Sequence, residues 1–205
     1  DRVIVATGGL SYSSTGSTGD GYRFASDNDI AVTETTPSLV PMNIRENICR
    51  ELQGLSLKNT GIKIFKEKKE LYTDFGEMLF THFGVSGPMI ISASGSIPYH
   101  EFDNGLRLVI DLKPALTEEQ LDKRMQRDFI SSENKEFKNS VSALFPAKLV
   151  PVMIRLSGIL PEKKINSVTK EERLRFVHLI KNMELTITGL RGFDEAIITK
   201  GGISI

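Results

Sequence analysis

Val3 to Tyr22, VIVATGGLSYSSTGSTGDGY, constrains this chain more than any other stretch. Val3, Ile4 and Val5 form a short apolar run that reads as a buried strand, in a sheet covered on both faces. The run stops at Thr7-Gly8-Gly9, where glycine permits a sharp bend and close approach of another group. Gly16, Gly19 and Gly21 follow, bracketing Thr18 and Asp20, and a helix is expected from near Asp20 through Tyr22, Phe24 and Ala25. A strand, a side-chain-poor loop and a helix N-terminus together can receive a polyanion on outward-pointing N–H groups. A glycine-rich surface turn is the plain alternative. Neither GxxxxGK[ST] nor GxGxxG occurs, so the P-loop and the dinucleotide fingerprint are both absent from these 205 residues.

The rest of the composition narrows the class. Lys+Arg and Asp+Glu balance at 26 each, which argues against a dominant nucleic-acid or acidic partner. A single cysteine, Cys49, cannot form an internal disulfide and suits a reducing, cytoplasmic setting. No signal-peptide pattern opens the sequence, and no apolar run approaches bilayer length, so no membrane partner is expected.

Ile30–Thr35 reads as a strand and Pro37 ends it; Ser38–Pro41 is a candidate hinge or a plain linker. Leu55–Leu57, Gly61–Phe65, Glu70–Phe75, Met78–Thr81 and Leu106–Leu112 read as short strands, with the charged run Lys66–Glu70 at a hairpin tip. Several short antiparallel strands of this kind suggest a small barrel or curled sheet. From residue 114 the pattern turns helical. Thr117 caps a helix with its apolar face at Leu121, Met125 and Phe129. A second helix ends at Val141, Leu144 and Phe145. A third carries Leu149, Val152, Met153 and Leu156 and stops at Gly158. Thr169 caps a fourth, with Leu174, Val177 and Ile180 on its apolar side. Glu184–Thr188 and Ala196–Thr199 return to strands.

Three histidines and one cysteine without HxxxH or CxxC spacing give no expectation of a metal site. His178 reads as structural or solvent-facing, and His100 has no evident partner. His82 stands in THFGVSGP, a strand-to-helix turn in which Ser86 can cap a helix and Pro88 suits its first position. His82, Ser86 and Gly87 are therefore candidates to face a substrate, with His82 as proton donor or carbonyl ligand. A capped turn holding a packed, hydrogen-bonded histidine is the structural alternative. A Ser86–His82 hydrolase dyad lacks both the GxSxG elbow and an orienting acid.

Together, ATGG with STGDGY at the start, PSLVPM at Pro37–Met42, GEMLFTHFGVSGP at Gly76–Pro88 and the closing GFDEAIITKGGISI resemble the BaiN/YhiN-type FAD-binding flavoproteins. The resemblance spans nearly the whole chain. It implies an α+β fold: a small antiparallel β-barrel-like subdomain and a helical-bundle subdomain, inserted into an FAD-binding α/β domain of which only edge pieces are present. The implied division is 1–37 for a piece of the FAD-binding domain, 38–113 for the barrel insert, 114–183 for the helical insert, and 184–205 for return and re-entry. It implies FAD contacts at Ala6, Thr7, Gly8, Gly9, Thr18, Gly19, Asp20 and Gly21, with NAD(P)H as electron donor and a small-molecule substrate. The chain would then be an internal piece of a longer oxidoreductase, its partner the remainder of the FAD-binding domain. Ser13 stands where proline is usual, and Asp29 where a Gly-His pair is expected. A non-catalytic lid or partner-binding module is the other reading of the insert.

Overall fold

A computed structural model describes residues 2–205. Six antiparallel strands close a barrel in the order β2-β5-β4-β3-β6-β7. Its backbone is the long hairpin of β3 (Ser56–Lys66) and β4 (Lys69–Phe80), turned at Glu67 with φ 53°. Short strands β2 (Met42–Ile44) and β5 (Gly84–Ser86) lie on one side, with β6 (Leu106–Asp111) and β7 (Met183–Leu190) on the other. Side chains alternate across each strand, so Ile62, Ile64, Met78, Phe80, Leu108, Ile110, Leu185 and Ile187 fill the interior. Closure leaves no edge among these strands to pair elsewhere. The separate short runs expected between residues 55 and 81 are thus two continuous strands. Bulges near Leu57/Thr60 and Ile64/Phe65 interrupt the alternation that a sequence pattern relies on.

The helices form an insertion in one barrel hairpin. β6 and β7 pair directly, Leu106 opposite Ile187 and Ile110 opposite Met183, yet the whole helical segment runs between them. Its ends are pinned together: Leu112 N–H donates to Ile180 O at 3.0 Å, and Lys181 Nζ reaches Asp111 Oδ2 at 2.6 Å and Lys113 O at 2.9 Å. Two other helices precede the insertion, α2 (Ile48–Glu51) and α3 (Pro88–Ser96), the latter packed on β4 through Met89, Ile90 and Ala93.

Within the insertion, α4 (Glu118–Ile130) and α7 (Lys170–Lys181) start at capping boxes, Thr117 with Gln120 and Thr169 with Glu172. Between them lie α5 (Phe137–Ser140) and α6 (Val150–Ser157), the latter ended by Gly158 at φ 69°. Leu121, Met125 and Phe129 are buried as the four-residue spacing dictates. Phe137 and Phe176 meet edge-to-face at 5.2 Å, with Phe129 and Phe145 stacked outside them. The second expected helix is only one turn of α followed by a 3-10 turn at Ser142–Leu144. Leu174 and Leu156 were expected in the core, but both are about two-fifths exposed. Phe176 takes the central place, rotating the buried face of α7.

Residues 2–35 behave differently. Val3, Ile4 and Val5 form no strand and are exposed, Ile4 by 91%. A strand buried on both faces needs neighbours to pair with, and no described residue supplies one. Helix α1 (Asp20–Ser26) forms as expected, with Gly19 at φ 78° in its N-cap position and Asp20 as its first residue. Ile30–Thr35 forms no strand either. It runs extended against the chain's other end, through a bridge between Val32 and Ile203 and a 2.7 Å bond from Thr33 N–H to Gly202 O. Beyond it, β1 (Thr36–Ser38) pairs with β8 (Ile198–Lys200). These two antiparallel segments form a stalk from the barrel to the glycine-rich loop.

Candidate functional site

The two halves of the glycine-rich stretch meet. Gly9 O accepts from Gly19 N–H at 3.1 Å and from Ser17 Oγ at 2.8 Å. A Cβ on Gly19 would fall 2.7 Å from Leu10 Cδ2, and one on Gly21 2.9 Å from Thr7 Oγ1. Gly8 holds φ 74° and Gly19 is buried, so both the turn and the close contact require glycine. The glycines thus fold the loop onto itself. What the loop leaves open is the backbone of Ala6, Thr7 and Gly8, together with Thr18, all exposed. Asp20 sits beside them, accepting from Thr18 Oγ1 at 3.3 Å and pairing with Arg23 at 3.1 Å.

The loop is anchored by a residue the sequence did not single out. Thr199 Oγ1 accepts from Leu10 N–H at 2.8 Å and Ser11 N–H at 3.1 Å, and lies 3.0 Å from Ser11 Oγ. Tyr22 is wedged beside it: a Cβ on Gly9 would lie 3.0 Å from its hydroxyl, and one on Gly202 3.2 Å from its ring. Gly202 of the second glycine pair and Gly9 of the first thus both lie against Tyr22. The signal of the second pair was present in ITKGGISI, but nothing local says that it returns to Tyr22.

The THFGVSGP turn lies at the barrel rim. Ser86 is the last residue of β5 and does not cap α3. Gly87 takes that position at φ 92°, where a Cβ would press within 3.0 Å of Leu79 N and Met78 Cα. Pro88 is the first residue of α3, as its missing N–H favours. His82 is exposed and makes no hydrogen bond among the described residues, so the packed, bonded histidine does not occur, nor does a Ser86–His82 bond. Its ring meets Phe83 edge-on at 5.0 Å.

A second cluster connects this rim to the loop. Arg191 stacks its guanidinium 4.4 Å over Phe83, donates from Nε to Glu195 at 2.6 Å, and bonds Pro41 O through its N–H at 2.9 Å. The next residues touch the loop: Phe193 O accepts from Tyr12 N–H at 3.3 Å, and Asp194 accepts from Ser13 Oγ at 3.3 Å. The structure therefore brings Ala6–Gly9 together with Gly19–Gly21, and links His82 to them only through Phe83, Arg191 and residues 193–195. A fixed guanidinium and a free imidazole on one rim can both donate to a carbonyl or an anion. Elsewhere, burial and the Glu46 carboxylate push the Cys49 thiol up to about 12, which keeps it from acting as a thiolate. His178 is exposed and lies 3.0 Å from Glu118; His100 approaches Glu101 at 3.8 Å.

Comparison with known proteins bears on this arrangement. Residues 36–198 match the family described as the HI0933-like protein barrel and H2TH domain. A ribosomal RNA dihydrouridine synthase of Haemophilus influenzae is 32% identical over 205 residues, covering 98% of this chain and 47% of that protein. The 3-dehydro-bile acid delta(4,6)-reductase of Clostridium scindens is 26% identical over 99% of this chain and 50% of its own length. A ribosomal RNA dihydrouridine synthase of Escherichia coli is 26% identical over 99% and 48%. The chain spans about half the length of these curated relatives.

Proposed function

The chain belongs to the HI0933-like (BaiN/YhiN-type) flavoprotein family, and from that premise we propose that it is part of an FAD-dependent oxidoreductase that saturates an activated C=C bond, drawing electrons from NAD(P)H. The observation that carries the reading is the closure of Ala6–Gly9 on Gly19–Gly21, which leaves a bare, exposed backbone edge beside Thr18. That edge fits a cofactor's ribityl and pyrophosphate groups, because no side chain stands between them and the backbone. Asp20 would accept from a hydroxyl or ring N–H; its charge makes it a poor neighbour for phosphate.

The relatives' names give the reaction its chemistry. A dihydrouridine is a uridine with one ring C=C saturated, and a delta(4,6)-reductase acts on C=C bonds. In both cases the natural electron acceptor is a double bond conjugated to a carbonyl. FAD would supply the hydride. This chain's share would be to hold the cofactor by its backbone edge, and to offer the rim donors His82 and Arg191 to the carbonyl oxygen, where negative charge grows as the bond is reduced.

The test is flavin content and NAD(P)H oxidation in the longer polypeptide to which this reading assigns the chain. Gly19→Leu should lower flavin occupancy at least several-fold, since its side chain would meet Leu10 at a φ that only glycine takes readily. Full occupancy in that variant would remove the loop from the site. This chain alone should bind FAD weakly, because no GxGxxG lies within it; a tight stoichiometric yellow complex would contradict that and favour a self-sufficient site. The lid or partner-module reading draws on a different fact: the main apolar core spans only residues 42–187, which suits a unit that folds without the loop.

A further inference from the structure

Arg191 is fixed at three points. Its backbone N–H bonds Pro41 O at 2.9 Å, its guanidinium carbon lies 4.4 Å from the centre of the Phe83 ring, and its Nε donates to Glu195 Oε1 at 2.6 Å. Nη2 turns to the same carboxylate oxygen. A guanidinium carries five N–H donors. The other Nη hydrogens have no partner among the described residues, so the fork keeps one free edge. A long side chain of this kind is ordinarily spread over many rotamers. Here Phe83 sets the plane of the guanidinium, and Glu195 sets its rotation within that plane. Glu195 is itself held. It closes the 3-10 turn Phe193–Glu195, and its N–H bonds Gly192 O at 3.1 Å. The next residue, Ala196, is fully buried, and Ile197 N–H bonds Leu39 O at 3.2 Å. The ion pair has no evident structural duty. Both side chains are about one-third exposed, where such a pair contributes little to stability. The backbone bonds to Pro41 and Leu39 already join these two segments without it.

We propose that Glu195 is a positioning residue, which aims the free edge of Arg191 at the substrate's carbonyl oxygen. The inference rests on the reaction proposed above and adds the residue that orients one of its donors. The carboxylate offsets the charge of the guanidinium, so the pair supplies direction more than potential. Donors already aimed at the atom where charge grows need not reorganise as that charge forms. Glu195 does not meet the substrate itself: its Oε1 is taken up by Arg191, and a carboxylate would repel the developing oxyanion. Lysine at position 191 would not serve, because an ammonium has neither a plane to stack on Phe83 nor an Nε edge for Glu195 to grip.

The experiment uses the longer polypeptide to which the proposed function assigns the chain. Loaded with flavin and reduced with dithionite, it is mixed without air with 2-cyclohexenone, a small ring whose C=C bond is conjugated to a carbonyl. Flavin reoxidation gives a limiting rate and a half-saturating enone concentration. Glu195→Ala should lower the limiting rate about ten-fold and leave half-saturation and flavin content within about two-fold of wild type. Glu195→Gln, which keeps an acceptor for Nε, should lose less than about three-fold. Arg191→Ala should lose about a hundred-fold. Adding Glu195→Ala to it should remove nothing more, because the carboxylate acts only through the guanidinium. Glu184→Ala, which breaks the pair with Arg107 on the barrel wall, should match wild type. Selective 15N-arginine labelling gives a readout independent of the reaction: a slowly exchanging Nε–H signal, assigned by its absence in Arg191→Ala, should be lost in Glu195→Ala. An unchanged rate in Glu195→Ala, a Glu195→Gln as impaired as Glu195→Ala, flavin content that falls in step with the rate, a further loss in the double variant, or an Nε–H signal that persists would each overturn the proposal. A wild type that leaves the enone unreduced would overturn the proposed reaction and this inference together. A wild type that reduces it while Glu195→Ala keeps pace would overturn this inference alone.

Discussion

The barrel with its helical insertion and the stalk with its glycine-rich loop are held by different forces. In the first, Phe80, Phe137, Phe176, Ile64 and Leu108 are fully buried in one continuous apolar core. In the second, Ala25 and Pro37 are the apolar side chains buried before Val40 among the described residues, while Val3, Ile4, Phe24, Ile30, Ile197 and Ile203 are exposed. What fixes the loop is a set of polar bonds to Thr199, Phe193 and Gly202, and glycine geometry. Apolar burial supplies most of a domain's stability, so the body should fold as a cooperative unit and the loop should open locally at lower cost. A site that must admit a cofactor is served by being built on the weaker region and braced by the stronger one.

This contrast can be broken most sharply in the core. Phe176→Ala should lower stability by about 3–5 kcal/mol in a denaturant titration, whereas Ile4→Ala should shift it by less than about 0.5 kcal/mol. Comparable losses would mean the two regions share one core after all. Thr199→Val should act next most strongly. It leaves two N–H groups without their acceptor, at about 1–3 kcal/mol, and the loss should appear as faster hydrogen exchange at Leu10 and Ser11 with the barrel's melting unchanged. The smallest effect concerns pH. The Arg173 guanidinium, 2.7 Å away, holds the Asp122 carboxyl below the usual carboxylate range. A depressed folded value means this contribution is complete at neutral pH and is lost as pH falls from the ordinary carboxylate value through the folded one. Asp122→Asn should therefore flatten the acid limb of the body's stability while loop exchange stays as it was.

Much of the body could be read in advance because its signals are local. Thr117 with Gln120 and Thr169 with Glu172 announce their helices within four residues, and LRLVIDL announces β6. The errors fall where a neighbour decides. Ser86 looked like a cap, but β5 claims it as a strand residue paired with Leu79, and the cap passes to Gly87. Leu174 matched the helical period, but the phenylalanine stack around Phe176 set which face of α7 is buried. In the candidate site the glycines were visible. Their bracing by Thr199, the packing of Gly202 on Tyr22, and the Arg191–Phe83 stack were not, since those partners lie about 100 to 190 residues apart along the chain.

By itself the sequence determined the local conformations: the bend at Gly8-Gly9, the capped helices, the hairpin tip after Lys66, and enough motif to identify the family. These depend on side chains within a few residues of one another, where sterics and hydrogen bonding act without the rest of the fold. Only the tertiary structure decided that a helical bundle interrupts a barrel hairpin, and that the chain's last residues brace its first loop. Those facts depend on which distant surfaces exclude water together, a property of the packed whole that no short stretch encodes.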